Sequence, residues 1–442
     1  MLKTQSRYFI ALLSLSIFFC SPYSVLAQSL VPVNPFGVGY FSATPFGQMK
    51  PFGQVEMREN LDTFKFEAGS QYQYNSNVFM MPSASNLVPS GTTRADSITT
   101  SYIGLGFEKD YGMQHFVLDM SAVNQKYGSS SFMDYTGFNY EARWLASITP
   151  SLKADVSALQ TVTPRGPETY GASPPTQAQI NTVQSEGVIF DLSPYKVVHV
   201  YAGYNYQSTV TSNQTTSGLI NTGGVNPLYN NNQSQIITGL GYEFSSGTLF
   251  KLMNKNVNGT QPEYLIWDVG PTFKKNETIL SMVWPVTGSS TLTGSYGYSA
   301  TNYGSDSLRN YSGQIGGLEY EKKINNDSTV NIKYEHGMQS YTTQSTSYDV
   351  VDALILSTNW VVTPRFNVKP SVTIARQQFP TLGGFADLSR TDNSFVYTLE
   401  ATWKATEKFR VRGLIAYVDR QSNYATYTTN NAIASLSAEI YF

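Results

Sequence analysis

Four things are scarce in this sequence, and each scarcity excludes a class of protein. Cysteine occurs once, at Cys20. That residue lies inside an N-terminal targeting segment, so disulfides and thiolate metal sites are excluded from the mature chain. Histidine occurs three times, at His115, His199 and His336, and the motifs Gly-x-Ser-x-Gly and His-Glu-x-x-His do not occur. The linear signatures of serine hydrolases and zinc proteases are therefore missing, and no catalytic residue, metal or cofactor is expected. Charged residues make up only 14%, and without Lys3 and Arg7 of the leader 27 basic residues face 31 acidic ones. Nucleic-acid binding needs a basic footprint, which this balance does not supply. Finally, no apolar run after the leader is long enough for a membrane-spanning helix.

The leader itself is readable. Lys3 and Arg7 precede an apolar run from Tyr8 to Phe19, and Val25-Leu26-Ala27 presents compact residues where a signal peptidase cuts. Residues 1–27 are expected to be a signal peptide cleaved after Ala27. The residues before Cys20, Ile17-Phe18-Phe19, are too large for a lipoprotein site.

What the chain has in quantity is aromatic and small polar residues: 31 Tyr, 24 Phe and 34 Gly. From about Leu61 onward the residues alternate. Leu436, Ala438, Ile440 and Phe442 fall on one parity, and Ser435, Ser437, Glu439 and Tyr441 on the other. Phe366, Val368, Pro370, Val372 and Ile374 alternate in the same way with Asn367, Lys369, Ser371 and Thr373. Residues two apart in a strand share a face, so each strand has an apolar and a mostly polar side.

A soluble sandwich would also alternate, and the connections discriminate. One set is very short, as at Lys109-Asp110-Tyr111-Gly112, Thr149-Pro150-Ser151, Thr363-Pro364-Arg365 and Ala405-Thr406-Glu407. The other set is long and polar, as at residues 80–96, 163–181, 211–233 and 379–390. Short turns alternating with long loops are the pattern of an outer-membrane barrel, with turns in the periplasm and loops outside. Eight short turns predict an all-β, antiparallel transmembrane barrel of about 18 strands (16–18) spanning residues 61–442. Trp144, Trp284, Trp360 and Trp403 each precede a short turn, as expected of an interfacial aromatic girdle.

Residues 28–60 fall outside the alternation. They hold three Pro-Phe-Gly repeats, at Pro35, Pro45 and Pro51. Proline has no N–H to give a ladder, so this stretch is expected to be an extended periplasmic leader. It could be flexible, dock on a partner or plug the lumen.

The inward parity carries charges of both signs. The lumen-lining candidates are Asp119, Glu141, Arg143, Lys153, Asp155, His199, Tyr201, Lys333, Glu335, Lys369, Arg410 and Arg412, with Arg420 and Asn205 of the same parity. Barrels of 16–18 strands leave an aqueous channel, so these residues predict a wet interior. Phe442, last of the closing strand, is expected to pair near residues 64–74 and to act in barrel assembly and closure.

The stretch Tyr72-Gln73-Tyr74-Asn75-Ser76-Asn77-Val78-Phe79 resembles the first strand of the β-barrel porins encoded with exopolysaccharide-synthesis operons. Gly104 to Phe116, Asp134-Tyr135 leading to Trp144 and Thr149-Pro150, and Trp284-Pro285-Val286-Thr287-Gly288 are similar to further motifs of that family. The likeness covers most of the chain from Leu61 and is structural, with no catalytic residue to transfer; the Pro-Phe-Gly repeats depart from it. It implies an outer-membrane channel that exports an exopolysaccharide. The partners it implies are the polymer, a periplasmic polysaccharide export protein and an inner-membrane assembly complex. Outer-membrane lipid and the barrel assembly machinery are expected partners of any such barrel. Two other functions remain open from the residues: a general or sugar-selective diffusion porin, and an outer-membrane lipid or glycan hydrolase.

Overall fold

The computed structural model describes residues 64–82, 93–164, 179–195, 197–213, 231–260, 272–304, 307–325, 328–340, 348–381 and 389–442. The signal segment and the Pro-Phe-Gly leader lie outside the described residues. Eighteen strands form one sheet. They are β1 (Phe64–Asn75), β2 (Asp96–Tyr111), β3 (Gln114–Tyr127), β4 (Tyr135–Thr149), β5 (Leu152–Pro164), β6 (Gln179–Leu192), β7 (Val198–Asn213), β8 (Asn231–Glu243) and β9 (Leu249–Thr260). Then follow β10 (Thr272–Thr287), β11 (Ser290–Asn302), β12 (Tyr311–Lys323), β13 (Thr329–Ser340), β14 (Tyr348–Thr363), β15 (Phe366–Phe379), β16 (Arg390–Thr406), β17 (Phe409–Ser422) and β18 (Thr429–Tyr441). Each pairs antiparallel with its neighbours in sequence, and β1 pairs antiparallel with β18. That last pairing closes the sheet into a barrel and leaves no open edge, which hydrocarbon requires.

Alternation decides which way each strand faces. On β18, Thr429, Asn431, Ile433, Ser437, Glu439 and Tyr441 are buried, while Asn430, Ala432, Ala434, Leu436, Ala438 and Ile440 are exposed. The buried parity points into the barrel and the exposed parity points out. The short connections fall where the turn chemistry places them. In the two-residue turn from β2 to β3, Gly112 takes φ +61°, and Gly247 between β8 and β9 takes φ +81°. Only glycine adopts these angles without strain. Trp144, Trp284, Trp360 and Trp403 all lie exposed on the outer face near this end.

Strand tilt can be read from the register. One row of paired residues runs Phe64, Phe107, Leu118, Ala142, Ala158, Glu186, Tyr206, Ser234, Asn258, Lys274. It starts at the turn-side end of β1 and finishes near the loop-side end of β10. Rows therefore climb toward the outside as strand number rises, by about 3 Å per strand for the usual 35–45° tilt and 4.8 Å spacing.

The first strand is shorter than the sequence pattern suggests. β1 stops at Asn75, and Asn77-Val78-Phe79 leaves the wall and turns into the barrel. The reason is local: the Asn77 side chain bonds to groups inside the barrel, described next.

Candidate functional site

The inner wall of the barrel is the candidate site, and it is lined with charge pairs, some between neighbouring strands and some along a single strand. Between β4 and β5 the Arg143 Nε donates to Asp155 Oδ1 at 2.9 Å, and a second guanidinium N–H meets the other carboxylate oxygen. Next along the wall, the ring Nδ1 of His199 lies 2.9 Å from Asp191 Oδ1, and its Nε2 lies 3.6 Å from Glu243. His199 stacks on Tyr201 at 5.9 Å, and Lys251 Nζ stands 4.8 Å over the Tyr201 ring. On β10, Lys275 pairs with Glu277 at 2.6 Å, and Ser299 of β11 donates to the same carboxylate.

The opposite wall is held in the same way. Lys333 and Glu335 pair at 2.6 Å. Glu400 gathers Lys369 and Arg412, each at 3.9 Å. Glu439 accepts from Arg410 Nε at 2.6 Å and from the Tyr441 hydroxyl at 2.7 Å, with Arg412 at 3.8 Å. This last group joins β17 to β18, the strand that closes the barrel against β1. Phe442 lies just beyond it, 68% exposed outward, and its N–H donates to Phe66 O at 2.9 Å.

The structure thus brings most of the sequence candidates into pairs: Arg143 with Asp155, His199 with Tyr201, Lys333 with Glu335, and Lys369, Arg410 and Arg412 through Glu400 and Glu439. Asp119 and Glu141 face each other as register partners on β3 and β4. Among the described residues, Glu141 and Lys153 take part in none of the ion pairs. The sequence selection omitted Asp191, Glu243, Lys251, Glu277, Glu400 and Glu439. Glu439 was visible by parity on the last strand; the others have inward parity too, but nothing local distinguishes them until their partners on the next strand are known.

A second feature was not foreseen. The chain after β1 folds inside the barrel and is tied there by Asn77, which is 1% exposed. Its amide nitrogen donates to Met81 O at 3.0 Å, to Thr429 Oγ1 at 3.0 Å and to Asn430 O at 2.9 Å. Its side-chain oxygen accepts from Met81 N at 2.9 Å. Asn75 starts the turn by accepting from Asn77 N at 3.0 Å. Met80 sits at φ +47°, a left-handed angle that costs a side-chain residue about 1–2 kcal/mol. That angle lays its side chain on Val351, Ala353, Ala375, Val396 and Val418 of β14 to β17. Phe79 packs the other way, with Ile98 and the stacked ring of Phe132. The segment therefore brackets the inner wall on both sides of β1.

No family model matches the chain, and no curated protein matches it. Solved structures with a similar fold come from Pseudomonas aeruginosa. The outer membrane protein OpdK is 11% identical with a TM-score of 0.48, covering 87% of this chain and 100% of that chain. OpdK with vanillate aligns with a TM-score of 0.47 at 11% identity over 86% of this chain and 100% of that one. OccK2 in complex with glucuronate gives 0.47 at 12% identity over 87% and 99%. The expectation of exopolysaccharide export is corrected on this point. The neighbours solved with a ligand hold vanillate and glucuronate, small molecules and not a polymer. The fold is that of an outer-membrane β-barrel.

Proposed function

We propose that the chain is a diffusion channel for small water-soluble solutes in the bacterial outer membrane. One observation carries this reading: a closed wall of 18 strands whose inner face is lined with ion pairs of both signs. Charged walls favour water, and barrels of this size leave an aqueous channel. The polysaccharide and the periplasmic export protein have no role in such a channel. Residues 61–442 act as the barrel, and residues 1–27 direct the chain across the inner membrane. N-terminal sequencing of the mature protein is expected to begin at Gln28.

The direct test is conductance. Purified protein in a planar lipid bilayer is expected to give stepwise ion currents, and liposomes carrying it are expected to swell in small sugars or carboxylates. Folded, heat-modifiable protein that gives neither current nor swelling would overturn the proposal.

Phe442 bears on assembly and not on permeation. Its side chain faces outward, away from the lumen charges, at the end of the closing strand. Deleting Phe442 is expected to slow insertion and lower the surface level of the barrel, while channels that do insert keep the wild-type conductance. Normal surface levels in a pulse-chase measurement would count against that role.

A further inference from the structure

The outer face of β5 to β10 does not look like a surface made for lipid. Glu186 is exposed and points outward from the middle of β6. It lies halfway along the climbing row from Phe64 to Lys274, so it stands at mid-height in the barrel wall. The other outward charges of the described strands, such as Lys109, Lys126, Lys274, Lys322, Arg376 and Asp419, lie toward strand ends. Among the described residues Glu186 has no ion-pair or hydrogen-bond partner. A charge on the lipid face is most costly near the bilayer midplane.

Three strands away, a cluster of outward asparagines occupies β9 and β10. Asn254 Nδ2 donates to Asn276 Oδ1 at 3.2 Å and to Thr278 Oγ1 at 3.0 Å. Asn256 Nδ2 donates to Asn254 Oδ1, and Asn276 Nδ2 to Asn256 Oδ1, both at 2.6 Å. An amide nitrogen carries two hydrogens. Among the described residues those bonds use one hydrogen each on Asn256 and Asn276, so each retains an N–H for an incoming acceptor. Unused donors are also poorly suited to hydrocarbon, although a neutral N–H costs less there than an unpaired carboxylate.

The two features match in height. Asn254 shares a register row with Phe190, through Thr238 and Ala202. Phe190 lies four residues below Glu186 on β6, a drop of about 10 Å along a tilted strand, while the climb from β6 to β9 is about 9 Å. Glu186 and the asparagine cluster therefore stand level, on either side of the line between β7 and β8. Between them lie exposed apolar and aromatic side chains: Tyr204, Tyr206, Ile236 and Leu240.

That arrangement is self-complementary. A two-fold axis along the membrane normal, placed against the β7–β8 line, brings each residue on one flank opposite its mirror position on the other. We infer that this face binds a second copy of the chain, with Glu186 of each copy accepting from the Asn254–Asn256–Asn276 cluster of the other. Tyr204 and Ile236 pack at the centre of the contact.

Cysteine cross-linking in a Cys20→Ser background tests the inference. The Glu186→Cys/Asn254→Cys double variant is expected to form a covalent dimer on mild oxidation in membranes, reversed by a reductant. Either single variant is expected to form none, because each residue lies away from its own copy across the axis. Wild-type protein in mild detergent is expected to show a protein mass of two chains by light scattering, and Glu186→Leu to shift that mass toward one chain while staying heat-modifiable. A wild-type mass of one chain, or a folded double variant without covalent dimer, overturns the inference. So does a complex that contains this chain once with a different protein, and so does an unchanged dimer in Glu186→Leu.

Discussion

Asn77→Ala is expected to raise the single-channel conductance and to destabilise the barrel together. Asn77 is the knot of the inward segment: one side chain bonds Met81 at both its N–H and its C=O and also reaches Thr429 and Asn430 on β18. Alanine leaves the Met81 N–H and the Asn430 carbonyl to find other partners. Each buried polar group left unpaired costs about 1–3 kcal/mol, so a loss of roughly 2–4 kcal/mol is expected. Thr429 also donates to Met81 O at 2.9 Å, and Arg94 donates to Pro82 O at 2.9 Å. The segment therefore stays attached at its far end but swings away from the wall, which enlarges the path for ions. Met80→Gly separates the two effects. It removes the side chain that rests on β14 to β17 but relieves the left-handed backbone, so conductance rises with little loss of stability. Bilayer recordings and a thermal melt on both variants check this; wild-type conductance in folded Asn77→Ala would show that the segment does not narrow the path.

The barrel was legible in the sequence because the two signals that carry it are both local. Period-two alternation, as in Leu436 to Phe442, fixes the facing of each strand, and turn residues such as Thr149-Pro150-Ser151 mark where strands meet at one end. Counting those turns is enough to reach the strand number, and antiparallel closure then pairs Phe442 near Phe66. The pairs on the wall were only half legible. Parity says that Arg412 and Glu400 both point inward, but their meeting depends on register between β16 and β17, which the bulge between Lys404 and Thr406 sets. The sequence carries the first strand on through the inward turn because Tyr72-Gln73-Tyr74-Asn75 alternates right up to it and Val78-Phe79 is apolar again just beyond. What stops the strand is Asn77 finding Thr429 and Asn430, more than 350 residues away in sequence, and no local pattern encodes such a contact. The expectation of polymer export failed for a related reason: the motifs behind it are wall and turn motifs, and these report how the barrel is built and not what crosses it.

Arg410→Ala is expected to lower the stability of the barrel by about 3–5 kcal/mol, the usual result of removing one partner from a buried ion pair. Arg410 is 6% exposed and Glu439 2% exposed. Without Arg410 the Glu439 carboxylate keeps the Tyr441 hydroxyl and the more distant Arg412, which is already shared with Glu400 at 3.9 Å. Arg412 cannot move fully to Glu439 without abandoning Glu400, so the vacancy propagates along the wall from β18 to β16. Glu439→Gln is expected to cost less, because an amide oxygen still accepts from the arginine. Arg410→Met combined with Glu439→Leu is expected to recover much of the loss, since neither charge then remains buried alone. Urea unfolding of the refolded barrel, followed by tryptophan fluorescence, measures all three. The pair ties β17 to β18, the strand that closes on β1, whereas Arg143→Ala with Asp155 left in place removes a pair between β4 and β5, far from the closure. If Arg410→Ala unfolds within about 1 kcal/mol of wild type, the pair contributes no more than an exposed surface pair, and β17 and β18 are held together by their backbone ladder alone.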